Sequence, residues 1–266
     1  MKNNNYLLII VALVAIVSIV TFSNSNIFET DQDRDVLYQT STINALLEGV
    51  YDGETTFKQL HEHGDIGLGT FNSLDGEMIG LDGEFYQIKT DGIAYLVNDS
   101  MQTPFVVMTF FDSDETLIVS ESMNYTELES YLDNKLTTKN SFIAIKMDGV
   151  FNYVKTRSVP RQDKPYQPLV EVVENQSIFE FHNIEGTMIG FRTPDYMKGV
   201  NVPGYHMHFI NKERTAGGHL LNVQLEDTKI MMDYTSEFFM VVPENKEFHQ
   251  AELSGDNQHE LEKIEK

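Results

Sequence analysis

The amino-acid sequence predicts an α+β fold made mostly of β-strands, with two β-sheet domains and a few short helices. Three observations predict it. Asp-Gly or Gly-Asp pairs recur at 64–65, 75–76, 82–83, 91–92 and 148–149, and turn pairs of this kind fold neighbouring strands into hairpins. Between them lie short runs that are apolar or alternate with period two, such as Glu84–Ile88 and Val150–Arg157, as expected of strands with a buried face. Helical periodicity is brief wherever it occurs. The N-terminal half is expected to form a mixed sheet and the C-terminal half an antiparallel, barrel-like one, with a single large β-sandwich as the alternative. A chain of 266 residues with 41% hydrophobic composition can build a core without staples.

The elements follow in order. Lys2 and the amino terminus give a basic start, Tyr6 to Phe22 carries no charge, and Ser23-Asn24-Ser25 follows. Residues 1–25 therefore read as an export signal, or as an N-terminal membrane anchor if uncleaved. Either places the remainder outside the cytoplasmic membrane, secreted or at the cell surface. Residues 26–35 form an acidic linker, and 36–160 an N-terminal β-rich domain. Within it, Ser41-Thr42 ahead of Ile43, Ala45, Leu46 and Leu47, with Gly49 behind, predicts a capped short helix. Thr56, Phe57 and Leu60 open a second one. Strands are expected at Gly67–Phe71, Glu77–Leu81, Glu84–Ile88, Ile93–Leu96, Phe105–Phe111 and Thr116–Val119. A helix over Asn124–Lys135 places Leu128, Tyr131 and Leu132 on one face. Phe142–Met147 and Val150–Arg157 flank Asp148-Gly149 as a hairpin. Pro160, Pro165 and Pro168 mark a crossing into a C-terminal domain, 161–266. Its expected strands are Ser177–Phe181, Gly186–Phe191, Tyr205–Ile210, His219–Leu225, Thr228–Tyr234 and Phe238–Val242, before an acidic, weakly helical tail.

Composition removes several function classes. There is no cysteine, which excludes disulfides, zinc–thiolate sites, iron–sulfur clusters and thiol nucleophiles. The 41 acidic residues against 19 basic ones leave a formal charge of −22. Such a surface repels a phosphate backbone, so no nucleic-acid partner is expected.

The chemistry concentrates between residues 204 and 219. Gly204-Tyr-His-Met-His-Phe-Ile210 alternates with period two, so His206 and His208 share one strand face while Tyr205, Met207 and Phe209 face the core. If the runs on either side of the loop ending at Gly217-Gly218 pair as a hairpin, Ile210 stands roughly opposite His219, and His219 is diagonal to His208. Three imidazoles then converge. Three nitrogen ligands and an open fourth position are the pattern of a catalytic zinc site, although imidazole also suits Fe, Cu, Ni and Co. The competing readings are polar strand residues with no metal, and a partial match to a cupin motif in which Glu213 replaces His219. Glu77, among Met78, Ile79 and Leu81, is either an exposed strand residue or a buried carboxylate with a raised pKa suited to proton transfer. Arg157 is either half of a surface ion pair or a clamp for a carboxylate. His61 and His63 read as solvated, and His182, His249 and His259 as surface residues. The glycine-rich stretch from Gly67 precedes no long helix, which argues against a phosphate cradle.

Several stretches together resemble the acetolactate decarboxylase family. They are Tyr38–Leu46, Gly64-Asp-Ile-Gly-Leu-Gly-Thr-Phe-Asn72, Leu74-Asp-Gly-Glu-Met78, Leu81-Asp-Gly-Glu-Phe-Tyr86, Thr103-Pro-Phe105, Thr156-Arg-Ser-Val159, Gly204–Ile210 and Gly217-Gly-His219. The resemblance runs in order from about residue 36 to the C-terminus. It implies two β domains in one molecule, commonly a homodimer, and a zinc-dependent lyase that converts 2-acetolactate to acetoin and CO2. It carries the Zn²⁺ ligands over to His206, His208 and His219, proton transfer to Glu77, substrate contact to Arg157, and pocket lining to Thr70. The family also places a tail glutamate at the metal. Glu265 fits that role by its distance from the histidine motif, with Glu262 close by. In such a reaction zinc would bind the substrate hydroxyl and ketone together, and the ketone would accept the electrons left by CO2 as an enediolate, with no pyridoxal or thiamine. The alternative functions are a cupin-like metal dioxygenase or isomerase, and a secreted β-rich binding module.

Overall fold

The computed structural model describes residues 35–265. The predicted signal or anchor, and the linker up to residue 34, lie outside the described residues. No described helix is long and apolar enough to cross a membrane.

The N-terminal part is built from hairpins whose turns match their residues. Strand β1 (Val36–Thr40) leads into helix α1 (Ile43–Leu47), where the Thr42 hydroxyl accepts the Ala45 N–H at 3.2 Å. Gly49, at φ +83°, ends the helix in the left-handed conformation. Helix α2 (Phe57–Leu60) begins with a reciprocal Thr56–Gln59 capping box. Strands β2 (Ile66–Thr70), β3 (Glu77–Leu81), β4 (Glu84–Ile88), β5 (Ala94–Leu96) and β6 (Val106–Thr109) follow. Asp82 and Gly83 both take positive φ, the requirement of the tight turn joining β3 to β4.

The second sheet begins at β7 (Glu115–Val119) and, after helix α3 (Tyr125–Lys135), continues through β8 (Phe142–Ser158). Helix α4 (Leu169–Val172) then precedes β9 (Ser177–Thr193), β10 (Gly204–Asn211), β11 (Gly217–Leu225) and β12 (Thr228–Thr235). Strand β13 (Glu237–Val241) returns to the first sheet and pairs parallel with β1. The first sheet is therefore mixed, in the order β13-β1-β6-β2-β3-β4-β5. The chain ends in helices α5 (Lys246–Gln250) and α6 (Gln258–Glu265).

The predicted hairpin at Asp148-Gly149 does not form. Strand β8 runs straight through it, paired along its length with β9, where Gly149 faces Gly186. The two expected strands on the β9 side fuse in the same way. The reason lies on the other edge of β8. Phe142–Asp148 pairs with β12, whereas Phe151–Arg157 pairs with β11. The Asp-Gly pair thus marks a change of neighbour rather than a reversal of the chain. Because β11 pairs with both β10 and β8, strands β8, β9, β10 and β11 close on themselves, giving the barrel-like half. Its filling includes Phe151, Val154, Met188, Met207, Phe209, Leu220 and Val223, all buried. Gly190 is required here, because a Cβ would sit 2.1 Å from the His206 carbonyl oxygen. A separate core joins the two sheets, with Leu37, Leu68 and Ile79 from the first against Ala144, Ile189, Phe191 and Ile210 from the second.

One buried acid sits apart from the site. Asp233 on β12 is 1% exposed, and its Oδ2 accepts the Asp112 N–H at 3.1 Å. Burial, reinforced by Asp114, Asp35 and Asp112, pushes its pKa up to about 7. A carboxyl whose folded pKa exceeds its unfolded value holds its proton more tightly when folded. Its contribution is therefore fully present below the unfolded pKa of roughly 4 and is lost as pH rises through about 7. Asp233→Asn removes that loss. In denaturant melts the variant should gain roughly 1–3 kcal/mol over the wild type at pH 8 and nothing near pH 4. A stability difference that does not vary with pH would contradict this account.

Candidate active site

The histidines are placed by strand pairing. On β10, Met207 and Phe209 point into the barrel core, so His206 and His208 take the opposite face. His208 is directly opposite His219, and Ile210 is opposite Gly217, a two-residue change from the predicted register. The turn is tighter than its sequence suggests. Asn211 Oδ1 accepts the N–H groups of Thr215 and Ala216 at 2.8 and 3.0 Å, so Gly217-Gly218 belong to the strand and not to the loop. One strand further, Arg157 pairs with His219. The facing wall comes from the first sheet, where Thr70 and Glu77 are cross-strand partners. His208 Nδ1 donates to the Met78 carbonyl at 2.8 Å and so ties the two walls together. It also leaves the Nε2 lone pair free.

The three rings form a near-equilateral triangle. Their centroids are 5.0 Å apart for His206–His219 and 5.2 Å for the other two pairs. One ligand nitrogen from each lies within 4.8 Å of the others. Burial first, and then the Arg157 charge, lowers the His206 pKa to about 3. His208 and His219 are also driven well below the usual imidazole range, chiefly by burial. All three are therefore neutral at pH 7, the form that can ligate a metal. Glu77 is buried 3.8 Å from His208 Nε2 and 3.7 Å from Arg157 Nε. Burial raises its pKa to about 7, with Arg157 opposing and Glu265 adding to the shift.

Glu265 arrives from the far end of the chain. Helix α6 carries its Oε2 to 3.7 Å from His219 Nε2 and 4.0 Å from His206 Nε2. Burial raises this carboxyl to about 7 as well. Glu262 is exposed and accepts a bond from Gln258 at 3.2 Å, so of the two tail candidates Glu265 is the one at the cluster.

A metal ion fits this donor set. His208 Nε2, His219 Nε2 and Glu265 Oε2 are buried with no hydrogen-bond partner, as is Arg157 Nε. Buried polar atoms are nearly always paired, and these all belong to residues lining one cavity of about 40 Å³. Thr70 also lines it, with its hydroxyl donating to the Gly76 carbonyl at 2.7 Å.

Several sequence-based alternatives fall away. Glu77 and Arg157 are buried, so neither is an exposed strand residue or half of a surface pair. Glu213 is exposed and bonded by Asn211, outside the metal-competent cluster; the cupin-type ligand set is not assembled. His61, His182, His249 and His259 are exposed. His63, expected to be solvated, is half-buried and stacked on Tyr38 at 3.9 Å. The apolar wall of the cavity was not predicted. It consists of Ile43, Leu46, Leu74, Phe105, Val159 and Leu169. The pattern marks Ile43 and Leu46 as a buried helix face, but nothing local says what that face covers.

The profile of the alpha-acetolactate decarboxylase family matches residues 37–255. An alpha-acetolactate decarboxylase of Methanosarcina mazei is 55% identical over 87% of this chain and 81% of that relative. One from Methylococcus capsulatus is 48% identical over 84% of this chain and 85% of its own length. The crystal structure of alpha-acetolactate decarboxylase from Bacillus subtilis strain 168 superposes with a TM-score of 0.85 at 41% identity, over 86% of this chain and 99% of that one.

Proposed function

The chain belongs to the alpha-acetolactate decarboxylase family of carbon–carbon lyases, and from that premise we propose that it converts 2-acetolactate to acetoin and CO2 with a zinc ion held by His206, His208, His219 and Glu265. The observation that carries the reading is the set of unpaired buried donors of His208, His219 and Glu265 around one cavity with Glu77 and Arg157. When bound, the ion supplies a Lewis acid for the charge that grows on the ketone oxygen as CO2 leaves, an effect worth several kcal/mol.

The chain's own residues do the rest. Arg157 has a buried Nε–H without a partner, and its guanidinium holds the substrate carboxylate in place. Loss of CO2 leaves an electron pair that the adjacent ketone takes up as an enediolate. One proton must then be added to carbon, so the acetolactate anion and one proton give acetoin and CO2. Burial raises the Glu77 pKa to about 7, so a substantial fraction of the carboxyl holds that proton at neutral pH and can deliver it. It delivers the proton from one side only, which sets the handedness of acetoin, and it is reprotonated from solvent. The apolar wall takes the two methyl groups and excludes bulk water from the cavity.

The test is incubation of the purified full chain with racemic 2-acetolactate, before and after treatment with a chelator. Acetoin should form, stop after chelation and return with added Zn²⁺. Acetoin formation that persists in the fully chelated protein would remove the metal from this reading.

A further inference from the structure

We propose that Asn44 is the positioning residue that clasps the C-terminal segment and so sets Glu265 at the histidine cluster; for its metal-affinity half, the inference rests on the function proposed above. Asn44 lies on α1 and is buried. Its Nδ2 donates to the Leu253 carbonyl at 3.0 Å and to the Gly255 carbonyl at 3.2 Å. One amide thereby pins two points of the chain just before α6. Gly199 makes room for it. Its φ is +78°, and a Cβ there would meet Asn44 Nδ2 at 3.0 Å.

Beyond this clasp the segment is held by apolar packing, with Leu261 and Ile264 buried in the core that joins the two sheets and α6 against α4. Helix α6 is short enough to be marginal alone. A second tie, from Asn257 to Glu48 at 3.2 Å, is exposed. Yet Glu265, at the end of this helix, must stay within reach of His206 and His219. Helix α1 also presents Ile43 and Leu46 to the cavity. The same short helix therefore walls the cavity and grips the strap that closes it, so Asn44 acts on the site through Glu265 without touching substrate.

The test uses Asn44→Asp, which keeps the shape and removes the donors, and Asn44→Ala, each in the full chain. Hydrogen exchange of the amides in 258–265 should quicken at least roughly tenfold. Zn²⁺ affinity, titrated with the metal alone, should weaken by roughly 10- to 100-fold. In a Glu265→Gln background, Asn44→Asp should cause no further loss of Zn²⁺ affinity, because the route it acts through is already gone. Unchanged exchange in 258–265 overturns the clasp. So does a loss of affinity that adds fully to that of Glu265→Gln, which would show that Asn44 supports the site by another path. If Glu265→Gln alone leaves Zn²⁺ affinity unchanged, the assignment of Glu265 as a ligand fails, while the exchange rates still decide whether Asn44 holds the tail.

Discussion

His208→Ala will lose stoichiometric metal, and its acetoin formation will fall by at least about 10³-fold, the equivalent of roughly 4 kcal/mol of transition-state stabilisation. The ring is fully buried and packs edge-on against both of the other imidazoles. Its Nδ1 bond to the Met78 carbonyl fixes the tautomer and aims Nε2 inward. Alanine removes a donor and unties the barrel from the wall that carries Glu77. Metal content by atomic emission and acetoin by colorimetry check the two halves separately. His182→Ala, at an exposed position, serves as the control and should retain both. Glu213→Ala should also retain the metal, since that carboxylate lies on the loop outside the cluster. A His208→Ala protein that keeps one equivalent of zinc would eliminate the proposed ligand set.

Glu77→Gln is expected to behave differently: metal content stays, and turnover drops by roughly 10²- to 10⁴-fold. The substitution preserves shape and hydrogen-bonding reach but leaves nothing to donate as an acid. Because Glu77 lies 3.8 Å from His208 Nε2, it is close enough to serve a substrate at the cluster without being among the three histidine donors. Whatever acetoin still forms should take its proton from water, from either face, and emerge with reduced optical purity. Chiral gas chromatography reads that outcome directly. Full turnover, or slow turnover with undiminished optical purity, would assign the proton to another group. The amide introduced by Glu77→Gln, like the protonated carboxyl it replaces, puts no charge beside the Arg157 guanidinium 3.7 Å away. Binding of the substrate carboxylate should therefore strengthen or hold steady, so KM should not rise.

Much of the fold is legible because its determinants are local. Short apolar or alternating runs identify β3, β4, β10 and β11, and Thr42, Thr56 and Asn124 each cap the helix that follows them. The reading fails where one local signal serves two outcomes. Asp148-Gly149 has the composition of a turn, yet β9 pairs along both sides of it and carries the strand through. Asn211 shortens the loop before His219 through side-chain bonds that spacing does not reveal. That shift turned a diagonal His208–His219 pair into a direct one, which still brings the rings together.

By itself the sequence determined that His206 and His208 share a face, because side-chain direction in a strand follows from backbone geometry alone. It also determined a β-rich chain and, through linked motifs, the family. Only the tertiary structure decided that Glu77 and Arg157 are buried, that α1 and α4 supply half of the apolar wall, and that Glu265 rather than Glu262 reaches the cluster. Those properties depend on which surfaces meet across hundreds of residues of chain, and a carboxylate's pKa or a donor's lack of a partner exists only once water has been excluded by that meeting.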